Sequence, residues 1–206
     1  MAPGSDDRIA AERKAVRREL RARRRAIPLE IRAAAERRIA LNVQRRFALR
    51  PGQRIALYAP LPEELDVSPL IELIARHRGR IYLPRLIDRR KHRMRFVAAR
   101  GPMTRNRLGI LEPSGVEWIA ARRLDLVFLP LVGFDSAGMR LGMGAGYYDR
   151  AFSFLRFRGI WRRPKLIGLA FAAQRVPSLH RAPHDVLLDA VVTEEGVHEF
   201  FRHAAD

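Results

Sequence analysis

The 206-residue sequence predicts an α/β domain: a mostly parallel central sheet flanked by helices and entered through two N-terminal helices. Three observations carry this. From residue 54 onward, short apolar runs alternate with helix-period segments, as strands joined by crossover helices do. The most apolar run, "LDLVFLPLVGF" at 124–134, reads as a central strand. Residues 8–50 instead repeat their apolar positions at fours and sevens.

The elements follow in order. Ile9, Val16, Leu20 and Ile27 make one apolar stripe, which predicts a helix over 8–26 stopped by Pro28. Ile31, Ala35, Ile39, Val43 and Phe47 make a second, closed by Pro51-Gly52. Both helices are basic on their outer faces, so a helical hairpin laid on the remaining chain is expected. "RIALYA" (54–59) is a strand and "PLPEELDV" (60–67) a loop. Ser68 is the expected N-cap of a helix that carries Pro69 in its first turn and ends at Gly79. "RIYLPRL" (80–86) and "MRFVAA" (94–99) are strands, and "RNRLGILEP" (105–113) is loop-like. A helix is expected over 147–157, a strand at "KLIGLAF" (165–171), and the last strand within "LLDAVVTEEG" (187–196). With no repeat or linker, one domain spans 8–200, with 1–7 and 201–206 as flexible tails.

Composition narrows the chemistry. The chain has no cysteine, which excludes disulfide scaffolds, thiolate metal sites and Cys nucleophiles. It has no apolar run of 18 residues and no apolar leader, so a cytoplasmic protein is expected. Its formal charge of +18 favours anionic partners. Residues 8–50 alone hold 15 Lys and Arg against four Glu.

The stretch that points to a site is "RLGMGAGYYDR", residues 140–150. It follows the central strand and opens a helix. Its glycines allow close backbone approach, and successive N–H groups there suit phosphate oxygens. The spacing is neither Walker A nor G-x-G-x-x-G, so a tight turn without a ligand stays open beside a phosphate cradle. Arg140 matches phosphate geometry. Asp149 suits Mg²⁺ held jointly with phosphates, or a plain ion pair with Arg150.

The stretch resembles the signature of the 5-formyltetrahydrofolate cyclo-ligase family, also called 5,10-methenyltetrahydrofolate synthetases. "KAVRREL" (14–20), "YAPLPEELDV" (58–67), "LGILEP" (108–113), "FLPLVGFDSAGMRLG" (128–142), "GLAFAAQ" (168–174) and "PHDVLLDAVVTEEG" (183–196) resemble the family's other blocks, in order. The resemblance implies a fold like that of sugar-phosphate isomerases and CoA transferases. It implies ATP as co-substrate, Mg²⁺, and 5-formyltetrahydrofolate as substrate. ATP would phosphorylate the formyl oxygen; N10 would close the ring, and loss of phosphate would leave 5,10-methenyltetrahydrofolate.

The site residues carried over are these. Lys14 and Arg18, at i,i+4 on one helix face, resemble the ATP-phosphate contacts, and Lys14 with Arg140 would act in catalysis. Arg140, Gly142, Met143, Gly144, Ala145, Gly146, Tyr147 and Tyr148 resemble the nucleotide loop. Ala59, Glu64, Met143 and Tyr147 would contact the folate, with Glu64 accepting pterin N–H groups. Tyr147 would stack on a ring, or pack in the core. Asp149 and Asp185 resemble the Mg²⁺ carboxylates, although Asp185 also reads as an ordinary loop Asp. The family's loop often reads E-x-x-T, whereas here Val67 stands at the Thr position, followed by Ser68. A monomer without membrane or nucleic-acid partners is expected, and the basic surface suits the polyglutamate tails of cellular folates. The rival readings are a basic RNA-binding protein and a nucleotide-independent isomerase or CoA-transferase-like enzyme.

Overall fold

The structure is a computed structural model that describes residues 5–107, 109–157 and 163–200. The helices are α1 (Ser5–Arg25), α2 (Leu29–Arg46), α3 (Ser68–Arg76) and α4 (Tyr147–Ala151). The strands begin with β1 (Arg54–Ala56), β2 (Arg80–Asp88), β3 (Arg93–Ala98), β4 (Met103–Arg105), β5 (Leu111–Pro113) and β6 (Trp118–Ile119). They continue with β7 (Leu126–Pro130), β8 (Gly133–Phe134), β9 (Arg140–Leu141), β10 (Lys165–Leu169), β11 (Ala190–Val192) and β12 (Val197–Glu199).

Eight strands form one sheet in the order β12-β11-β10-β7-β1-β2-β3-β6. The central five, from β11 to β2, are parallel, and β12, β3 and β6 add to the edges antiparallel. The expected central strand is therefore central: β7 lies between β10 and β1. The period of two sorts its residues to two cores. Ile55, Phe128, Ile167, Leu169, Ala190 and Val192 face α2 and α3. Ala56, Val127, Leu129, Leu166 and Val191 face Phe152 and Leu155 on the other side. Gly168 sits where this second layer is tightest. A Cβ there would meet Leu131 Cδ2 at 2.5 Å, Leu188 Cδ1 at 2.9 Å and Val191 Cγ2 at 3.0 Å. Gly168→Ala is therefore expected to cost about 1–3 kcal/mol by overpacking, measured by urea unfolding.

Several local expectations change. The 105–113 stretch is not all loop: β4 and β5 pair as an antiparallel hairpin. The 124–134 run is not one strand. The chain leaves the sheet after Pro130, and Gly133–Phe134 pairs instead with Arg140–Leu141. The buried Gln174 amide makes that exit possible by donating to the carbonyls of Leu131 (2.9 Å) and Val132 (3.0 Å). The 147–157 helix is α for only five residues and then tightens to a 3-10 turn over Ser153–Phe157. Ser68 is already helical, and Asp66 Oδ1 does the capping, accepting from the Ser68 N–H (3.0 Å) and hydroxyl (2.8 Å). β12 adds an edge strand beyond the one expected last. The two N-terminal helices take different partners. α1 lies over the 172–174 turn, whereas α2 packs on α3, β11 and β12. α1 begins at Ser5, inside the expected tail; residues 1–4 and 201–206 lie outside the described residues. Among the described residues, no helix is long and apolar enough to cross a membrane.

Candidate functional site

The strand order reverses between β1 and β7: one crossover leads from β1 to β2, the others from β7 to β10 and β11. In an open parallel sheet this switch point leaves a crevice beyond the carboxyl ends of the strands. A cavity of about 910 Å³ occupies it. Tyr58 and Ala59, just after β1, and Pro130 and Leu131, at the end of β7, form part of its wall. Pro84, Leu86 and Met94 from the β2–β3 hairpin, with Ile110 and Glu112 from the β4–β5 hairpin, form an apolar side.

The glycine loop forms the opposite side. Gly142, Met143, Gly144, Ala145, Gly146, Tyr147, Tyr148 and Asp149 all line the cavity. Gly144 has φ +103° and Gly146 φ +68°, a left-handed region that L side chains rarely adopt. Residues 143–145 are exposed. α4 spans barely more than one turn, so a helix dipole adds little here, and the loop amides are the groups that could receive an anion.

Lys14 and Arg18 are both exposed and neither lines the cavity. Their places are taken by Arg13 and Arg17, one residue earlier on α1. One residue turns a helix by about 100°, so a slip of one moves both cations off the cavity. The signal lay in the apolar stripe itself. Ile9, Arg13, Arg17 and Leu20 follow one another at spacings of four, four and three, on the side that α1 turns inward. Arg17 Nε donates to the Gly142 carbonyl at 2.8 Å, and its guanidinium stands 3.7 Å from where a Cβ on Gly144 would be. Burial, then the neighbouring Arg13 charge, pulls the Arg17 guanidinium below its ordinary value, with Asp185 partly opposing. An anion placed there would relieve both effects.

Arg140 is buried, and its two terminal nitrogens are occupied. Nη1 donates to the Val186 carbonyl and Nη2 to Asp149 Oδ1, both at 2.7 Å. Asp149 is thus paired with Arg140; Arg150, the partner that sequence adjacency suggested, donates instead to the Ala145 carbonyl at 3.3 Å. Asp149 Oδ1 also accepts the Val186 N–H at 3.1 Å, so both bonds fall on one oxygen. Asp185 is 5% exposed and holds Arg13 through both oxygens, at 2.8 and 3.3 Å. Burial pushes the Asp185 carboxyl up, but the Arg13 guanidinium and the Ala182 N–H outweigh it and hold the group below the carboxylate range. Both carboxylates line the cavity.

Glu64 lies on the floor, 9% exposed. Its Oε2 accepts the Leu61 N–H at 3.0 Å. Burial raises its carboxyl, with Leu61 and the Arg24 charge opposing. Tyr147 lines the cavity, and its ring meets that of His92 at a tilt of 55° with centroids 5.3 Å apart. Burial, then the Glu64 charge, raises the Tyr148 phenol, with the Arg140 charge opposing. Val67 is a core residue, and neither it nor Ser68 lines the cavity, so nothing there replaces the family's threonine. Glu112 and His184, which lie within quoted blocks but were given no role, also line the cavity, as does Arg181, which lies outside every block.

One space therefore holds a cationic, glycine-lined end and an apolar end with buried carboxylates. Comparison with known proteins shows the family. The profile of the 5-formyltetrahydrofolate cyclo-ligase family matches residues 9–194. A 5-formyltetrahydrofolate cyclo-ligase of Haemophilus influenzae is 32% identical over 188 residues, covering 88% of this chain and 97% of that protein. That of Escherichia coli K12 is 33% identical over 187 residues, covering 88% and 100%. The solved 5,10-methenyltetrahydrofolate synthetase of Aquifex aeolicus shares the fold, with TM-score 0.78 at 24% identity over 94% of this chain and 95% of that one. By its sequence, this chain belongs to the 5-formyltetrahydrofolate cyclo-ligase family.

Proposed function

We propose that the chain converts 5-formyltetrahydrofolate to 5,10-methenyltetrahydrofolate, consuming ATP with Mg²⁺ and releasing ADP and phosphate. The observation that carries this is the single cavity at the switch point, where the glycine loop, Arg13 and Arg17 meet an apolar wall and the buried Glu64. A formyl amide oxygen is a poor leaving group until it is phosphorylated. Phosphoryl transfer asks for positioning and charge neutralisation more than for a protein nucleophile, which suits a chain without cysteine.

The geometry supports the following roles. The amides of residues 142–146 and the guanidinium groups of Arg13 and Arg17 bind the triphosphate. Arg140 acts through Asp149, which it holds in place. Glu64 accepts N–H groups of the pterin, with Ala59, Met143 and Tyr147 beside the rings. Asp149 and Asp185 hold Mg²⁺. Among the described residues no group of three or more metal-ligating side chains gathers. Two carboxylates still fit this ion, because Mg²⁺ is commonly bound by one or two carboxylates plus substrate phosphates. Bound there, it neutralises phosphate charge.

The RNA-binding reading loses ground on α1. Arg13, Arg17 and Arg24 turn inward, and Phe47, the one aromatic in residues 8–50, is buried in the core. The test is the methenyl absorbance band on mixing enzyme with 5-formyltetrahydrofolate. It is expected to rise only when ATP and Mg²⁺ are present, with one ADP per ring closed. Ring closure that needs no nucleotide would overturn the proposal.

A further inference from the structure

Arg24 lies outside the cavity, yet it is 2% exposed, the most deeply buried charged side chain among the described residues. Its Nε and Nη2 have no hydrogen-bond partner. Nη2 stands 3.8 Å from Glu63 Oε1, within ion-pair range but too far for a hydrogen bond. A small void adjoins the cavity floor. Arg24 and Gln174 form part of its wall, and Tyr58, Glu64, Pro130 and Leu131 line both spaces. A buried cation with unused donors is costly, and an apolar side chain on this inward stripe of α1 would serve packing at least as well. The arrangement makes sense if the charge acts on the carboxylates across the void.

We propose that Arg24 is a positioning residue for folate recognition: its buried guanidinium, beside Glu63 and lining the same void as Glu64, keeps Glu64 an ionised acceptor for pterin N–H groups. The inference rests on the reading of Glu64 as that acceptor. The groups facing Glu64 are known from every side. Arg24 and Arg21 face it from α1, and Glu63 from its own loop. Tyr58 faces it from beyond β1, and Tyr148 from α4. Arg32 of α2 donates to the Glu64 carbonyl at 2.8 Å. Glu63 is itself held by Arg21, so Arg24 is left to act on the pair by charge.

The sign is fixed. Burial favours the protonated Glu64, which cannot accept two pterin N–H groups, and Arg24 opposes this. Folate binding is then complete above the Glu64 pKa and fades as pH falls through it. Removing the Arg24 charge moves that limb to higher pH.

The test is kcat/KM for 5-formyltetrahydrofolate against pH, at saturating MgATP, in the full-length enzyme. In Arg24→Met the acid limb is expected to move up by about one pH unit, a tenfold loss at a fixed acidic pH. At alkaline pH the value returns towards wild type, and KM for ATP is unchanged. Arg24→Lys, which keeps the charge, is expected to restore the limb. A loss of the same factor at every pH, or a limb that stays in place, shows that Arg24 only packs and overturns the inference. Should Arg24→Met fail to fold, the comparison of Arg24→Lys with Arg24→Gln decides between charge and packing. Glu64→Gln separates the two levels. A strong folate defect there with unmoved Arg24 limbs sinks only the role of Arg24. An ordinary folate KM in Glu64→Gln removes the acceptor reading and this inference together.

Discussion

Arg17→Ala is expected to lower kcat/KM for ATP by about 10²–10³-fold, the loss typical when a fixed charge-stabilising donor is deleted. The Arg17 guanidinium lies against the glycine loop and bonds the Gly142 carbonyl, so its loss removes both a phosphate partner and the brace that holds the loop. Two controls make the result specific. Lys14→Ala and Arg18→Ala remove exposed charges from the same helix, and each is expected to stay within about twofold of wild type, as surface substitutions do. The fold should survive in all three. For Arg17→Ala a stability loss of about 1 kcal/mol would lower Tm by only about 2–4 °C. Steady-state kinetics with ATP varied, beside thermal unfolding, reads both quantities. If Lys14→Ala and Arg18→Ala are crippled while Arg17→Ala is not, the rotation of α1 described above is wrong.

Asp149→Asn should raise the Mg²⁺ concentration at half-maximal rate by at least about 10- to 100-fold, the range seen when even an indirect partner of a metal ligand is lost. The substitution keeps the shape and removes the charge. It also leaves the Arg140 guanidinium, 6% exposed, without its counter-charge. Breaking such a pair fully inside a protein costs about 3–5 kcal/mol, and less here because water still reaches Asp149. Arg140→Ala should therefore show the same Mg²⁺ phenotype as Asp149→Asn. The two should be strongly non-additive, with a coupling of about 0.5–3 kcal/mol. A Mg²⁺ titration of the two single variants and the double variant measures this. Additive effects would mean that Arg140 contacts substrate independently of Asp149.

Much of this molecule was legible before its structure. β7 is apolar on both faces, and that alone placed it centrally, because a strand between two helical layers exposes neither face. The glycine stretch could be read as a tight turn because Gly144 and Gly146 take left-handed φ values that L side chains rarely adopt. Other features were illegible for reasons that can be named. β8 and β9 pair through two residues each, too few for any periodicity to register. The exit of the chain after Pro130 depends on the Gln174 side chain, 43 residues from the Leu131 carbonyl it satisfies. Arg13 and Arg17 line the cavity where Lys14 and Arg18 do not; an i,i+4 spacing fits both pairs, and only the stripe through Ile9 and Leu20 tells them apart.

The sequence by itself determined the class of fold, the chain order of the blocks and the chemistry available: cations, glycines, carboxylates, no thiol. These are local properties, set by side-chain type and by spacing along the chain. Tertiary structure alone decided which cations look into the cavity, which carboxylate holds which arginine, and that a buried Arg24 stands behind Glu64. Those outcomes depend on the rotation of α1 about its axis and on pairs as far as 172 residues apart. Packing fixes both; the apolar stripe of α1 hints at the first, and no local pattern encodes the second.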